Sequence, residues 1–259
     1  MIRRDTHTAD GEHRWLLISQ PEHARLSGLL AERWGAEPFV PLEPRDELLA
    51  AVYHHDDGWA DWEKSPQVDP QSGRPLAFTE MPLADSLAIW RGSIEGVIRF
   101  GDLAPWAVAG HFSALLRSST TWRKAGGEQT RLAREFLQEQ DARRAEWLAR
   151  WLSVDPKAHT RELAEQGLRH LRFFDALSLW FCCAERSLPQ AFEPPSGPPI
   201  TITPVDSGLL VAEPWPFTVP ELTLSVFGRS VRAMTYHTAE QLAAAERWDA
   251  QLEWVLRRQ

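Results

Sequence analysis

The sequence predicts a mainly α fold: a helical bundle with a small C-terminal antiparallel β unit and a closing helix. Three observations carry that expectation. Up to about residue 190, apolar side chains recur at helical spacing between cap and break signals. A proline-dense stretch (Pro189, Pro194, Pro195, Pro198, Pro199) then interrupts the pattern. Beyond it, short β-branched runs alternate with turn residues.

Residues 14–18, Arg-Trp-Leu-Leu-Ile, read as a short strand. Ser19-Gln20-Pro21-Glu22 has the capping-box order, Ser first and Glu three later, and opens a helix running to about Trp34, where Gly35 stops it. A second helix runs from about 46 to 58 and ends at Gly58. Residues 60–80 hold Pro66, Pro70, Pro75 and Gly73 and read as a structured loop. A third helix is expected over 83–100. Asp102 is expected to cap a fourth over 103–122, and Ala125-Gly126-Gly127 breaks the chain before a long polar-faced helix over 128–153. The last bundle helix is expected from Lys157 to Arg186. Strands are expected at 200–203, 208–211, 222–227 and 230–234, with Gly228-Arg229 as a hairpin turn between the last two. Thr238, with Gln241 three residues on, is expected to cap the closing helix. The organisation reads as a helical unit over 14–188 and a β-plus-helix unit over 197–259 packed on it.

Composition narrows the function. The 259 residues carry a formal charge of −8, against the basic surface that non-specific nucleic-acid or anionic-membrane binding requires. Cys182 and Cys183 are adjacent, so they form neither a Cys-x-x-Cys motif nor a disulfide framework, which fits a reducing cytoplasm. The first residues lack the apolar stretch of a secretory signal, and no apolar run approaches the roughly 18 residues of a membrane span. The expected partner is a small-molecule substrate, with no nucleic acid and no membrane. Thirteen tryptophans read mainly as core packing.

The informative segment is Tyr53-His54-His55-Asp56-Asp57-Gly58-Trp59. Leu48, Val52, His55, Asp56 and Trp59 fall at helical spacing, which places the His-Asp pair on or beside the inward face. A buried carboxylate there needs a partner or a metal. His23 shares a face with Leu26 and Leu30, and Asp175 shares one with Leu168, Leu171, Leu179 and Cys182. Each has a simpler reading: backbone bonds at a helix start for His23, an ion pair with Arg172 for Asp175.

The order His23, then His55-Asp56, then Asp175, each on a separate expected helix, resembles the HD-domain superfamily of metal-dependent phosphohydrolases. The string His55-Asp56-Asp57-Gly58 is similar to that family's His-Asp-x-Gly. The resemblance covers roughly residues 14–188. It implies an HD-like bundle in which His23, His55, Asp56 and Asp175 hold one divalent ion, with Mn, Fe, Co, Ni or Mg as candidates by donor type. Beside that set, catalytic parts are expected for Asp57, as an acceptor orienting water or a ligand, and for His111, as a fifth ligand or substrate contact. Helix-end solvation for Asp57 and a satisfied core histidine for His111 are the alternatives. The oxygenases of that superfamily hold two irons through extra histidines. Of His111, His159 and His170 only His111 is placed to serve, since His170 points about 140° away from Asp175.

The chain as a whole is closer to an uncharacterised bacterial family. It shares that family's Gln20-Pro21-Glu22-His23, His55-Asp56-Asp57-Gly58-Trp59, Gly73-Arg74-Pro75-Leu76-Ala77-Phe78 and Pro214-Trp215-Pro216-Phe217 strings. The leading functional expectation is a metal-dependent hydrolase of a small-molecule or nucleotide phosphoester. An HD-type iron oxygenase and a non-catalytic ligand- or partner-binding module are the alternatives.

Overall fold

The computed structural model describes residues 1–185 and 187–259. It corrects the fold class. The protein is a mixed α and β structure, 49% helical and 21% strand, built on a curled seven-stranded sheet that forms a half-barrel. It is not a mainly α bundle with a small β unit.

Two strands precede the first helix, β1 (Ile2–His7) and β2 (His13–Ile18). The helices α1 (Gln20–Glu32), α2 (Arg45–His54) and α3 (Trp59–Glu63) follow. Next come α4 (Leu83–Val97), α5 (Leu103–Ser118), α6 (Thr121–Ala125), α7 (Gly127–Val154) and α8 (Arg161–Cys183). The expected end of α8 at Arg186 lies outside the described residues. The chain closes with β3 (Gln190–Phe192), β4 (Ile200–Asp206), β5 (Leu209–Glu213), β6 (Glu221–Arg232), the short α9 (Ala239–Ala244) and β7 (Trp248–Arg258).

The sheet order is β1-β2-β6-β7-β5-β4-β3. Among the described strands only β5 and β7 run parallel, in register from Leu209↔Val255 to Ala212↔Arg258, and every other neighbouring pair is antiparallel. The N-terminal strands thus join the same sheet as the C-terminal ones. Ile2, Ile18, Leu224 and Val226 on one face share a continuous apolar core with Leu26 and Leu30 of α1 and Phe181 of α8. A smaller cluster, Trp15, Val231, Tyr236 and Leu242, covers part of the other face. Nine of the thirteen tryptophans are buried and none is exposed, as core packing requires.

Two expected elements are replaced. The closing helix stops at Ala244, and residues 248–258 form an 11-residue strand instead. Trp248, Ala250, Leu252, Trp254 and Leu256 alternate with the exposed Asp249, Gln251 and Glu253, which is the period of a strand. The expected hairpin at Gly228-Arg229 is absent, because β6 runs straight through both residues and pairs with β2 and β7 at once. Asp102 does not cap α5 through its side chain, which accepts from Arg150 at 2.6 Å. Glu47 of α2 does so, its Oε2 accepting from the Leu103 N–H at 2.9 Å. No helix among the described residues is long and apolar enough to cross a membrane.

Candidate metal centre

Ser19 opens α1, its hydroxyl accepting from the Glu22 N–H at 3.2 Å. That start places His23 one turn into the helix, with Leu26 and Leu30, all fully buried. The Glu22 carboxylate does not return the bond to Ser19. It receives Arg25 at 2.7 Å and the Phe227 N–H of β6 at 2.8 Å, which ties the helix start to the sheet. His55 and Asp56 sit in the turn that leaves α2, where His55 keeps helical backbone angles. Asp175 lies in the middle of α8, which packs on α1 and α2.

These four residues converge. His23 Nε2 lies 3.3 Å from Asp56 Oδ2 and 3.2 Å from Asp175 Oδ1. His55 Nε2 lies 3.5 Å from Asp56 Oδ2 and 3.4 Å from Asp175 Oδ1. One donor atom from each residue falls within 4.8 Å of all the others. The two imidazoles stand nearly perpendicular, at 88°, with centroids 5.2 Å apart. Both histidines are fully buried, Asp56 is 6% exposed and Asp175, at 13%, is the nearest of the four to solvent.

The histidine rings are held from behind. His55 Nδ1 lies 2.8 Å from the Val52 carbonyl, which can only accept, so the ring proton belongs on Nδ1 and the Nε2 lone pair faces the carboxylates. His23 Nδ1 lies 2.6 Å from the Ser178 hydroxyl. Both Nε2 atoms are buried and make no well-directed hydrogen bond. Two lone pairs facing two carboxylates repel unless a cation sits between them.

That cation is either protons or a metal ion. Without a metal, burial opposes charge on His23, but the Asp175 and Asp56 carboxylates outweigh it and raise its pKa to about 9. Burial likewise opposes charge on His55, and Asp56 and Asp175 again raise its pKa. Burial pushes the two carboxyls up, yet the imidazoles prevail. Asp56 falls below the usual range under His55 and His23, and Asp175 falls well below it under His111, His23 and His55. One divalent ion balances two carboxylates with both imidazoles neutral, without two adjacent imidazolium ions. Ligand atoms at bond lengths of about 2.1 Å are spaced about 3.0–3.5 Å apart around such an ion, and the four contacts above fall at 3.2–3.5 Å. The donor set therefore fits a divalent metal ion.

His111 of α5 is buried at the edge of the group. Its Nε2 is 3.9 Å from Asp175 Oδ2, its ring centroid is 5.6 Å from that of His55, and its Nδ1 has no partner. Burial, only partly offset by Asp175, lowers its pKa to about 4, so the ring is neutral. Asp57 turns to the neighbouring His54, Oδ2 to Nδ1 at 2.8 Å, and His54 stacks on Phe100. His159 stacks on Trp151 at 3.9 Å, and His170 stacks on Phe174 on another face of α8. Asp175 is paired with the histidines.

Sequence reasoning missed the supporting residues. Ser27 and Ser178 are fully buried and 2.7 Å apart behind His23, and Ser178 also donates to the Asp175 carbonyl at 3.0 Å. Their signal was spacing: Ser27 is four residues after His23, and Ser178 three after Asp175. Gln20 Oε1 and Trp59 Nε1, one helical turn from His23 and His55, are also buried without partners. Glu63 accepts from the Gln20 N–H at 3.0 Å and meets the Met1 amine at 2.6 Å.

The chain belongs to the family described as "Protein of unknown function (DUF3891)", which matches residues 1–233. This bears out the likeness to an uncharacterised family and does not extend to the HD-domain superfamily. No curated protein and no solved structure matches the chain.

Proposed function

We propose that this family member is a metal-dependent hydrolase that cleaves a phosphoester of a small molecule or nucleotide. The observation that carries the reading is the convergence of His23, His55, Asp56 and Asp175, with two imidazole lone pairs and two carboxylates aimed at one buried point. Four protein donors leave positions for water and substrate around an ion that takes five or six ligands. A bound divalent ion would supply a Lewis acid that acidifies water and offsets phosphate charge.

The chain's own residues set the rest. Asp56 and Asp175 provide the two negative charges, and the Val52 carbonyl and the Ser178 hydroxyl orient the imidazoles. His111, neutral and 3.9 Å from Asp175, can take up a proton at Nε2 or hydrogen-bond a substrate oxygen. Asp57 acts through His54, fixing the turn that carries the His-Asp pair.

The test begins with metal content. Protein purified without chelator should hold close to one equivalent of divalent metal, or gain it on addition of Mn²⁺, Fe²⁺ or Ni²⁺. Less than about a tenth of an equivalent under both conditions removes the reading. Loaded protein should then hydrolyse members of a phosphoester panel, with turnover lost in Asp56→Ala. A loaded protein inert across the panel would point to a ligand-binding module instead.

A further inference from the structure

A cavity of about 590 Å³ lies on the sheet face opposite the main core, and none of its lining residues belongs to the His23, His55, Asp56 and Asp175 group. Its floor is one cross-strand row, Leu17 of β2 opposite Arg229 of β6, itself opposite Asp249 of β7. Side chains directly across neighbouring strands point the same way, and Trp15 and Val231, two residues along, carry the separate apolar cluster of this face. Leu242 of α9, Pro66 and the ring of Phe227 add apolar walls. At 56% exposure Phe227 is one of the few large apolar side chains open to solvent, and it stands at the cavity.

Two guanidinium groups reach the same space, and neither is well neutralised. Among the described ion pairs Arg229 meets only Asp249, at 3.7 Å, with both groups largely exposed. Arg247 donates to two carbonyls at the end of α9, Leu242 at 3.4 Å and Ala243 at 3.2 Å, and has no carboxylate among the described ion pairs. The remaining acid of the lining, Glu63, is occupied by the Met1 amine and the Gln20 N–H. Counting Arg229 and Arg247 against Asp249 leaves one positive charge at the mouth of an apolar hollow. The volume lies within the range of small-molecule sites, about 300–1,000 Å³, which pair apolar walls with a few polar anchors.

We propose that this cavity binds a small molecule with an apolar body and a single anionic group, the body lying on Leu17 and Phe227 and the anion between Arg229 and Arg247. Guanidinium groups suit such an anion because their N–H fork matches a carboxylate, sulfonate or phosphate edge. The site stands independently of the metal reading, since none of its lining residues is one of the four ligands.

The test uses 8-anilinonaphthalene-1-sulfonate and its uncharged counterpart N-phenyl-1-naphthylamine on the full chain, followed by fluorescence and calorimetry. The sulfonate should bind with one-to-one stoichiometry and about tenfold more tightly than the neutral compound, as one charge-assisted contact at a partly exposed site gives. The double substitution Arg229→Gln, Arg247→Gln should bring the two affinities within about threefold of each other. Leu17→Trp, which fills the floor, should weaken both by at least tenfold. Equal affinity of the two probes for the native chain, or sulfonate binding unchanged in the arginine variant, overturns the proposal. The arginine variant changes only exposed side chains, so it decides the matter even where Leu17→Trp fails to fold. Its far-UV circular dichroism should match that of the native chain.

Discussion

The Ser178 hydroxyl lies 2.6 Å from His23 Nδ1 and joins two helices behind the metal centre, α8 carrying Asp175 and α1 carrying His23. Ser27 closes the chain, 2.7 Å from Ser178 and 3.2 Å from the His23 carbonyl. With the Ser178 O–H donating to the Asp175 carbonyl, its oxygen accepts from His23 Nδ1–H, and His23 offers Nε2 to the ion. Such outer partners typically contribute 10–100-fold to metal affinity. Ser178→Ala should therefore weaken Mn²⁺ or Co²⁺ binding by about that factor in a calorimetric titration, and Ser178→Thr should recover most of it. Affinity within threefold of native in Ser178→Ala would mean that packing alone orients the ring.

His111 separates holding the metal from using it. It falls outside the group of four converging donors and sits 3.9 Å from Asp175. His111→Ala should leave metal stoichiometry at one and affinity within about fivefold of native. The proposed hydrolysis should fall by about 10²–10⁴-fold, the usual contribution of a proton-transferring side chain. Loss of the metal together with turnover would make His111 a ligand.

The site's titration gives opposite pH trends with and without metal. In the metal-free protein His23 has a raised pKa of about 9, so its contribution to stability is complete below the unfolded value of about 6.5 and is lost as pH rises through 9. Burial lowers His111 and His170 to about 4, so their contribution is present above about 6.5 and lost as pH falls toward 4. The metal-free protein should thus be most stable near pH 6.5 in urea titrations. Metal must displace protons from His23 and His55, so the added stability on metal binding should grow from pH 6 to pH 9. A metal-induced gain that shrinks over that range contradicts ligation through these imidazoles.

The site was more legible than the fold. His23, His55, Asp56 and Asp175 were each readable as polar residues on an apolar helical face, since helix periodicity is local. Their convergence depends on α1, α2 and α8 packing together, which no local pattern in the sequence carries. The sheet was less legible because its first strand, Ile-Arg-Arg-Asp-Thr-His, carries polar residues at every position after Ile2 and so has no apolar alternation. β7 did alternate, but the cap at Thr238 drew the reading toward a helix that in fact ends after six residues. Ser27 and Ser178 were hidden because a buried serine looks like any small core residue until its partner is in place.

Gly228 tests why β6 runs straight where a turn was expected. It pairs with Ile18 on one side and Ala250 on the other, in the interior of the sheet. A Cβ built there would come within 2.8 Å of both Leu16 Cδ1 and the Leu17 carbonyl, and within 3.2 Å of Ile18 Cγ1. The backbone angle at Gly228 is not in the left-handed region, so close approach of β2 is what a side chain would disturb. Gly228→Val should therefore destabilise the protein, despite valine's preference for strands, by about 1–3 kcal/mol, the usual cost of forcing volume into a packed site. Gly228→Ala should cost less. Chemical denaturation of the metal-free protein measures both. A valine variant as stable as the native chain would show that β2 can move away from β6 without loss, and that the glycine is not required by the sheet.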